Sequence, residues 1–317
     1  MRELAVVVPT LGRLLTLRRV LDRLESQTVG PAAYEVVVVA DAQEHDLAPL
    51  DAAVAGRPYA VRRLQAARPG ASAARNAGWR ATAAPLVLFL DDDVLPEPPL
   101  VAEHLAWHRG RPEEAVGVLG RVRWADELEV TTFMRWLEQG IQFDFDAIEG
   151  VEAGWGRFYT ANASVKRSLL ERVGGFEEQA LPFGYEDLDL ALRMHEGHGF
   201  RLLYNRAAVA EHLHPMDLAF WRRRVARIAV SERRFVELHP DVAPYFYELF
   251  SRAAAARPAN AAVARLGRVV PPSAPVIGRL VWGSVNGRYL QALAPAFLEA
   301  WAAAGRAAER PGASTTA

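Results

Sequence analysis

The sequence predicts an α/β fold in which a mostly parallel sheet carries helices on both faces. Up to Leu90, short apolar runs rich in β-branched residues alternate with amphipathic segments of helical spacing. Polar residues follow these runs, at the end where the strands of such sheets bind ligands. Beyond Pro215 the strand-like runs stop, which indicates a helical C-terminal extension.

Each element rests on its own pattern. Residues 4–8, Leu-Ala-Val-Val-Val, end at Pro9-Thr10, as expected of a buried strand. Residues 14–24 place leucines and a valine at three- and four-residue spacing, which indicates an amphipathic helix. The same criteria predict strands at Tyr34–Ala40, 61–64, Leu86–Leu90 and 201–204, helices at 71–81, 187–194 and Leu218–Leu238, and loops with short helices at 124–158. We therefore expect one domain at 1–215 and a helical extension at 216–317.

Composition excludes several classes of protein. Hydrophobic residues make up 51% and charged residues 24% of the chain, which is typical of a globular protein, and the net charge of -1 gives no reason to expect a nucleic-acid partner. The chain has no cysteine, which excludes disulfide scaffolds and thiolate chemistry, and its single lysine is Lys166. Neither a signal sequence nor a bilayer-spanning apolar run is recognisable, so we expect a cytoplasmic protein.

Three consecutive carboxylates, Asp91-Asp92-Asp93, directly follow an apolar strand and form the sharpest chemical signal. Alternation along an extended chain predicts Asp91 and Asp93 on one face and Asp92 on the other. Two carboxylates on one face suit Mn²⁺ or Mg²⁺, which also bind diphosphate oxygens. The competing interpretation is a polar turn whose aspartates cap the next helix.

Other motifs accompany this triplet in a fixed order. They are Val-Val-Pro-Thr in the first strand, Asp41 after the second, Arg-Pro-Gly-Ala-Ser-Ala-Ala-Arg-Asn-Ala-Gly at 68–78, Phe-Leu-Asp-Asp-Asp-Val-Leu-Pro at 89–96, Gly-Gly-Phe-Glu-Glu at 174–178 and Gly-Tyr-Glu-Asp-Leu-Asp-Leu-Ala-Leu-Arg at 184–193. Together they resemble the family 2 glycosyltransferases, inverting enzymes of the GT-A fold. The resemblance covers about residues 4–215, and it is the ordered set that makes it specific.

The resemblance implies donor-binding roles at the strand ends. Asp91 and Asp93 match the first and last positions of the family's D-x-D motif, where the first contacts the ribose and the last holds the metal on the diphosphate. Asp41 matches the carboxylate that binds the base, although its neighbours depart from the usual Asp-Asp-Gly-Ser and leave the base open. The other residues matched to the nucleotide site are Pro9, Thr10, Arg68 and Arg75. Arg75 can pair with phosphate or with Asp91, and the alternative is a charge on the helix surface.

The pair Glu186-Asp187 matches the family's acidic pair, which supplies the general base. An inverting transfer needs a base, because a sugar hydroxyl is a poor nucleophile and must attack opposite the leaving diphosphate. We assign Asp187 as the base, with Glu186 as the alternative, and expect the helix N-terminus to keep it ionised near neutral pH. The plainer interpretation is that these carboxylates, with Asp189, cap the helix, and that Asp189 pairs with Arg193.

Further contacts follow from the same resemblance. A histidine often lies near the metal, and His212 matches that position better than His214, with a structural role as the alternative. The residues matched to acceptor and donor-sugar contacts are Trp155, Thr160 and Asn162, and for Trp155 a place in the core is equally compatible.

Between Arg222 and Arg234 the long predicted helix concentrates positive charge. It fits a solvated face, an arm that contacts phosphate, or a peripheral helix at the inner membrane surface that reaches lipid-linked acceptors. We favour the solvated face. The buried stripe would then comprise Trp221, Val225, Ile228 and Phe235.

These motifs predict a metal-dependent inverting glycosyltransferase. Its donor would be a nucleoside-diphosphate sugar, with UDP expected and GDP or dTDP as alternatives, and its acceptor a saccharide, lipid-linked or small-molecule hydroxyl. A sugar-phosphate nucleotidyltransferase is an alternative, but it would carry a Gly-rich opening with a phosphate-binding lysine. A non-catalytic sugar-nucleotide-binding module is a third, and the intact acidic motifs argue against it.

Overall fold

The computed structural model describes residues 2–181 and 183–308, so residues 309–317 of the predicted extension lie outside the described part of the chain. Within it the strands form an eight-stranded sheet with the order β3-β2-β1-β4-β7-β6-β8-β5. The strands are β1 Leu4–Thr10, β2 Tyr34–Ala40, β3 Ala60–Gln65, β4 Leu86–Leu90, β5 Val94–Pro96, β6 Val116–Trp124, β7 Asn162–Lys166 and β8 Arg201–His212. The helices are α1 Leu14–Glu25, α2 Ala48–Val54, α3 Ala71–Arg80, α4 Leu100–Arg109, α5 Thr132–Leu137, α6 Arg167–Val173, α7 Glu186–His198, α8 Leu218–Leu238, α9 Tyr245–Ala255, α10 Ala261–Arg265 and α11 Ile277–Ala308. Short 3-10 helices occupy Phe145–Ala147, Trp155–Arg157 and Leu266–Arg268.

The first half of the sheet confirms the predicted α/β class. β1 pairs in parallel with β2 and β4, and β2 pairs in parallel with β3. β1, β2 and β4 bury both faces, which explains why they appear in the sequence as unbroken apolar runs. α3 packs against β1 and β2, and α1 buries its apolar stripe, in which Leu17 and Leu21 are fully buried.

The second half of the sheet is mixed, and the sequence pattern hides most of it. β7 runs antiparallel to β4 and β6, and it buries the polar side chains of Asn162 and Ser164 among hydrogen-bonding partners. β8 extends well beyond the predicted 201–204. A bulge opens there, because Gly120 of β6 pairs with Asn205 while Arg121 pairs with Val209. Buried polar residues and bulges break the alternation on which strand prediction depends.

The chain forms two compact units. The sheet unit comprises Met1–Glu129, Asp144–Pro182 and Glu186–His214, and the helical unit comprises Val130–Phe143, Phe183–Tyr185 and Pro215–Ala317. The predicted boundary after residue 215 lies one residue from the last point at which the chain passes from the sheet unit to the helical unit, between His214 and Pro215. However, two short segments of the first 215 residues belong to the helical unit, so a single boundary in the sequence does not describe the division.

Within the helical unit α8 buries the stripe predicted for it. Trp221, Val225, Ile228 and Phe235 are all buried. On the other face, Arg227 lies over the ring of Phe183, with the guanidinium carbon 3.5 Å from the ring centroid. The apolar side of α8 is therefore occupied by protein, as a solvated basic helix requires. Among the described residues, no helix is both long and apolar enough to cross a bilayer.

Candidate active site

The candidate site lies in the sheet unit, at the carboxyl ends of β1, β2 and β4. Thr10 ends β1, is buried, and donates its hydroxyl hydrogen to Oδ2 of Asp92 at 2.7 Å. Pro9 precedes it and pairs in register with Val39 of β2. The predicted base and ribose residues of β1 therefore adjoin the aspartate triplet.

Asp41 follows β2 and holds the start of α3. Its Oδ2 accepts the backbone N–H of Gly70 at 2.7 Å, and its Oδ1 accepts that of Gln43 at 2.8 Å. Gly70 has a φ of 109°, which side chains with a Cβ rarely adopt, so this turn requires glycine. Arg68 lies two residues earlier and is exposed. Asp41 thus has a framework role, and its contact with a base remains a prediction.

The aspartate triplet does not continue the strand. β4 ends before Asp91, and the three residues turn, so the expected division between Asp91/Asp93 and Asp92 is wrong. Nη1 of Arg13 contacts Oδ1 of Asp92 at 3.3 Å and also bonds to Oδ2 of Asp93. Asp91 instead bonds to Arg75. Asp92 and Asp93 therefore share one guanidinium, and Asp91 belongs to a second ion pair.

Arg13 is a site residue that the motif comparison does not single out. It lies just after β1, and its side chain is 44% exposed while those of Asp92 and Asp93 are 7% and 6% exposed. Burial and the neighbouring charge of Asp93 raise the pKa of Asp92 to about 7. The only sequence signal for this role of Arg13 is that a basic residue follows the end of β1 by three residues.

Arg75 joins the triplet to the predicted catalytic pair. It is 5% exposed, so the surface-charge interpretation is wrong. Its Nη2 donates to Oδ1 of Asp91 at 3.0 Å, and its Nη1 donates to Oε1 of Glu186 at 2.9 Å. Two atoms of this bridge, Arg75 Nε and Glu186 Oε2, are buried and lack a hydrogen-bond partner within the described residues, as does Ser72 Oγ one turn earlier on α3. Such atoms are uncommon in a finished core and are expected in a site that a ligand completes.

The acidic pair begins α7, as predicted. Asp187 is partly buried, and its Oδ1 accepts the N–H of Leu188 at 2.9 Å. Burial and the charge of Glu186 outweigh the attraction of Arg75 and raise the pKa of Asp187 to about 7. The helix N-terminus therefore does not keep the pKa of Asp187 at its ordinary value, because burial and the like charge of Glu186 raise it.

The neighbouring Asp189 has the structural role expected of it. Its Oδ2 pairs with Nη2 of Arg193 at 2.8 Å. Arg193 also donates to the carbonyl of Gly175 at 2.7 Å. This i,i+4 pair ties α7 to the loop before it.

His212 ends β8 and lies beside the triplet. Its Nε2 is 4.0 Å from Oδ1 of Asp93, and its Nδ1 accepts the N–H of His214 at 3.3 Å. A neutral ring in this arrangement carries its proton on Nε2. Among residues 2–181 and 183–308, no group of three His, Asp or Glu side chains converges to hold a metal ion. The predicted ligands therefore divide: Asp93 and His212 face each other, and Asp91 is engaged elsewhere.

The residues predicted to contact sugars differ in their surroundings. Trp155 is half-buried in the 3-10 helix Trp155–Arg157, which packs against α7, the helix of the catalytic pair. Thr160 is 3% exposed. Trp155 is thus the predicted sugar-contacting residue that combines partial exposure with a place in an element that packs against α7.

Asn162 belongs to the framework instead. It has no exposed surface, its amide donates to the carbonyl of Ala208 at 2.9 Å, and its Oδ1 lies 2.9 Å from Nε2 of His104. His104 also contacts Ser164 Oγ, which bonds to His108. Burial lowers the pKa of His104 to about 4 and that of His108 to about 3, so both rings stay neutral. The geometry gives no support to a sugar contact for Asn162.

Comparison with known proteins gives a family match over most of the chain. A model of the family described as "Glycosyltransferase like family 2" matches residues 2–231. Validoxylamine A glucosyltransferase of Streptomyces hygroscopicus subsp. limoneus is 30% identical over 285 residues, which cover 78% of this chain and 58% of that protein. Its counterpart in strain 5008 of subsp. jinggangensis is 29% identical and is covered to 63%. The chain thus spans about three fifths of the length of these relatives.

Solved structures match the fold at lower sequence identity. The mannosyltransferase PcManGT of Pyrobaculum calidifontis, in complex with GDP-Man and Mn²⁺, has a TM-score of 0.55 at 21% sequence identity. The match covers 99% of this chain and 77% of the mannosyltransferase chain. TarS 1-349 of S. aureus in complex with UDP-GlcNAc has a TM-score of 0.52 at 14% identity, over 92% of this chain and 90% of its own. At these identities the similarity is one of fold.

Proposed function

Because the chain belongs to the glycosyltransferase family 2, we propose that it transfers a sugar from a nucleoside-diphosphate sugar to an acceptor hydroxyl with inversion at the anomeric carbon. The observation that carries this proposal is the buried bridge made by Arg75. One guanidinium binds Asp91 at the donor end of β4 and Glu186 beside the candidate base, so donor-binding and proton-accepting groups share one framework. The unpaired buried atoms around the bridge support a ligand at this place.

The chain's own residues can carry the proton transfer. Asp187 takes the proton of the acceptor hydroxyl, and the oxygen attacks the anomeric carbon opposite the diphosphate. The bond between that carbon and the diphosphate oxygen breaks, and the nucleoside diphosphate leaves with the electron pair. Because the pKa of Asp187 is raised to about 7, a substantial fraction of the base is ionised near neutral pH, and its basicity suits the task.

We propose that a divalent cation, Mn²⁺ or Mg²⁺, is held by Asp93. Oδ1 of Asp93 and Nε2 of His212 are 4.0 Å apart, too far for a hydrogen bond and compatible with two ligands of one cation. His212 can serve only after its Nδ1 exchanges the hydrogen bond from His214 for a proton of its own. When bound, the cation neutralises the leaving diphosphate, and oxygens of that diphosphate and water would complete its shell.

The donor class and acceptor class are proposed from the named relatives and neighbours. Two relatives are named as validoxylamine A glucosyltransferases, and we propose an acceptor of the same kind for this chain. Neighbouring structures hold GDP-Man or UDP-GlcNAc, and we propose a UDP-sugar, with GDP as the alternative for the test.

We propose no membrane contact through α8, since its apolar stripe is buried. A nucleotidyltransferase lacks support, because the ammonium group of Lys166 bonds to the carbonyl of Arg111 at 2.8 Å.

The test is transfer and donor hydrolysis by the purified chain with Mn²⁺, compared between the native protein and Asp187→Asn. The variant keeps the shape of the side chain but cannot accept a proton. We expect turnover to fall by about two to four orders of magnitude and donor affinity to stay nearly unchanged. Glu196→Gln, an exposed change on the same helix, is the control and should be active.

Loss of donor binding in step with turnover would make Asp187 a binding or folding residue. Glu186→Gln would then be measured in the same way to test the alternative base. Product stereochemistry, read by NMR of the anomeric proton, tests inversion separately. Retention of configuration would contradict the proposed single displacement.

A further inference from the structure

We propose that Arg13 is the resident counter-ion of Asp92 and Asp93, and that it competes with a divalent cation for Asp93. The cation then binds tightly only together with a nucleoside diphosphate. This inference rests on the proposed function, because it assumes a cation at Asp93. It goes further by assigning to one residue the coupling between metal binding and donor binding.

Arg13 already supplies the positive charge that this pair of carboxylates needs. The side chains of Asp92 and Asp93 are nearly buried, and both contact the same Nη1. Two adjacent buried carboxylates are costly without a cation. Burial opposes the charged form of Arg13, but the charges of Asp93, Asp92 and Asp91 together raise its pKa above the ordinary value.

The position of Arg13 suits exchange. Its side chain is 44% exposed and reaches in from the turn after β1, so its guanidinium can move into water while its backbone stays in place. It holds Oδ2 of Asp93, whereas Oδ1 faces His212. A cation at Oδ1 would therefore lie within a few ångström of the guanidinium. At a partly buried site, repulsion between charges at such distances changes an affinity by about tenfold or more.

A nucleoside diphosphate removes this conflict. Its oxygens bind a guanidinium well, often through two parallel hydrogen bonds, and offer Arg13 a partner other than Asp93. The diphosphate thus releases Asp93 for the cation and neutralises both positive groups. By linkage, the cation must strengthen nucleotide binding by the same factor.

The experiment measures Mn²⁺ binding to the full chain by the EPR signal of free Mn²⁺, with and without UDP. Four proteins are compared: the native chain, Arg13→Gln, Arg13→Lys and Arg19→Gln. Arg19 is the matched control. Its side chain is 42% exposed, and it pairs with Glu127, at 2.6 Å, rather than with the triplet. Arg13→Lys keeps the positive charge and separates charge from shape.

We expect Arg13→Gln to bind Mn²⁺ alone about tenfold more tightly than the native chain, and to gain less from UDP. Arg13→Lys and Arg19→Gln should behave as the native chain does. Unchanged or weaker Mn²⁺ binding by Arg13→Gln would overturn the inference, and so would an equal gain in Arg19→Gln.

Melting temperatures keep the test valid if Arg13→Gln is less stable. Mn²⁺ alone should raise the melting temperature of Arg13→Gln more than that of the native chain, and Asp93→Asn in the same background should cancel that gain. An equal shift in both proteins would overturn the inference. If Asp93→Asn abolishes UDP-dependent Mn²⁺ binding while Arg13→Gln changes nothing, Arg13 has no such role and the proposed function stands. If no protein binds Mn²⁺ even with UDP, the proposed metal use fails and the inference with it.

Discussion

The sheet unit contains two acidic clusters, and each is neutralised by one arginine in a different way. Arg75 is 5% exposed and bridges Asp91 to Glu186 from the side of α3. Arg13 has a side chain that is 44% exposed and reaches Asp93 from a turn. The buried bridge fixes the distance between two structural elements, whereas the exposed arginine can be exchanged for another cation. The difference indicates a permanent part and a replaceable part of one site.

The largest effect expected from this comparison is on stability. Arg75→Gln leaves the nearly buried Glu186 and the partly exposed Asp91 without their counter-ion, which costs about 3–5 kcal/mol of unfolding free energy. Arg13→Gln should cost less, although Asp92 and Asp93 are nearly buried, because Asp92, whose pKa is raised to about 7, can take up a proton once its counter-ion is gone. Urea unfolding at neutral pH measures both variants. Equal losses would mean that the two arginines are alike, and the distinction between them would be wrong.

Activity sharpens the same comparison. Arg75→Gln should lose turnover along with stability, since the bridge positions Glu186 beside the candidate base. Arg75→Lys keeps one charge but cannot donate to both carboxylates in the planar geometry of a guanidinium, so it should be intermediate. An Arg75→Lys variant with native turnover would show that only the charge matters.

The sequence predicts the central half of the fold well, for a physical reason. Tyr34–Ala40 and Leu86–Leu90 are buried on both faces, and a strand in that position requires an unbroken run of apolar residues. Asn162 and Ser164 break that rule in β7, because a histidine network satisfies their polar groups in the core. A strand stabilised by such a network has no apolar signature, and prediction from periodicity misses it.

The site divides in the same way. Motif order correctly places Asp91 and Glu186 in one unit, and the expected pairing of Arg75 with Asp91 is confirmed. The second contact of Arg75, with Glu186, is not predicted, since it depends on how distant segments pack. Likewise, a turn after β4 reverses the expected orientation of Asp92, which local alternation cannot anticipate. The sequence therefore predicts which side chains belong to the site, whereas the ion pairs between them depend on how the strands and helices are arranged.

Nucleotide binding gives the second test of the two clusters. Asp93→Ala should remove the Mn²⁺-dependent part of UDP binding, because the diphosphate then lacks its bridging cation. Asp91→Ala should weaken UDP binding by about tenfold and leave its Mn²⁺ dependence in place, since Asp91 bonds to Arg75 rather than facing His212. Calorimetry with and without Mn²⁺ measures both. If Asp91→Ala also loses the metal dependence, the two aspartates bind the cation together and the division of the triplet is wrong.

The smallest effect concerns the pH dependence of turnover. Asp187 must be ionised to accept a proton, and burial together with the charge of Glu186 raises its pKa to about 7. The value of kcat/KM should therefore rise with pH up to about 7 and level off above it. Glu186→Gln removes a negative neighbour, so the pKa of Asp187 falls and the rising limb moves to lower pH by up to about one unit. Profiles from about pH 5 to about pH 9 compare this variant with Glu196→Gln, whose limb should not move. An unmoved limb in Glu186→Gln would show that the titrating group is not coupled to Glu186. Loss of turnover at every pH would instead favour Glu186 as the base, because a shifted pKa changes only where the activity rises.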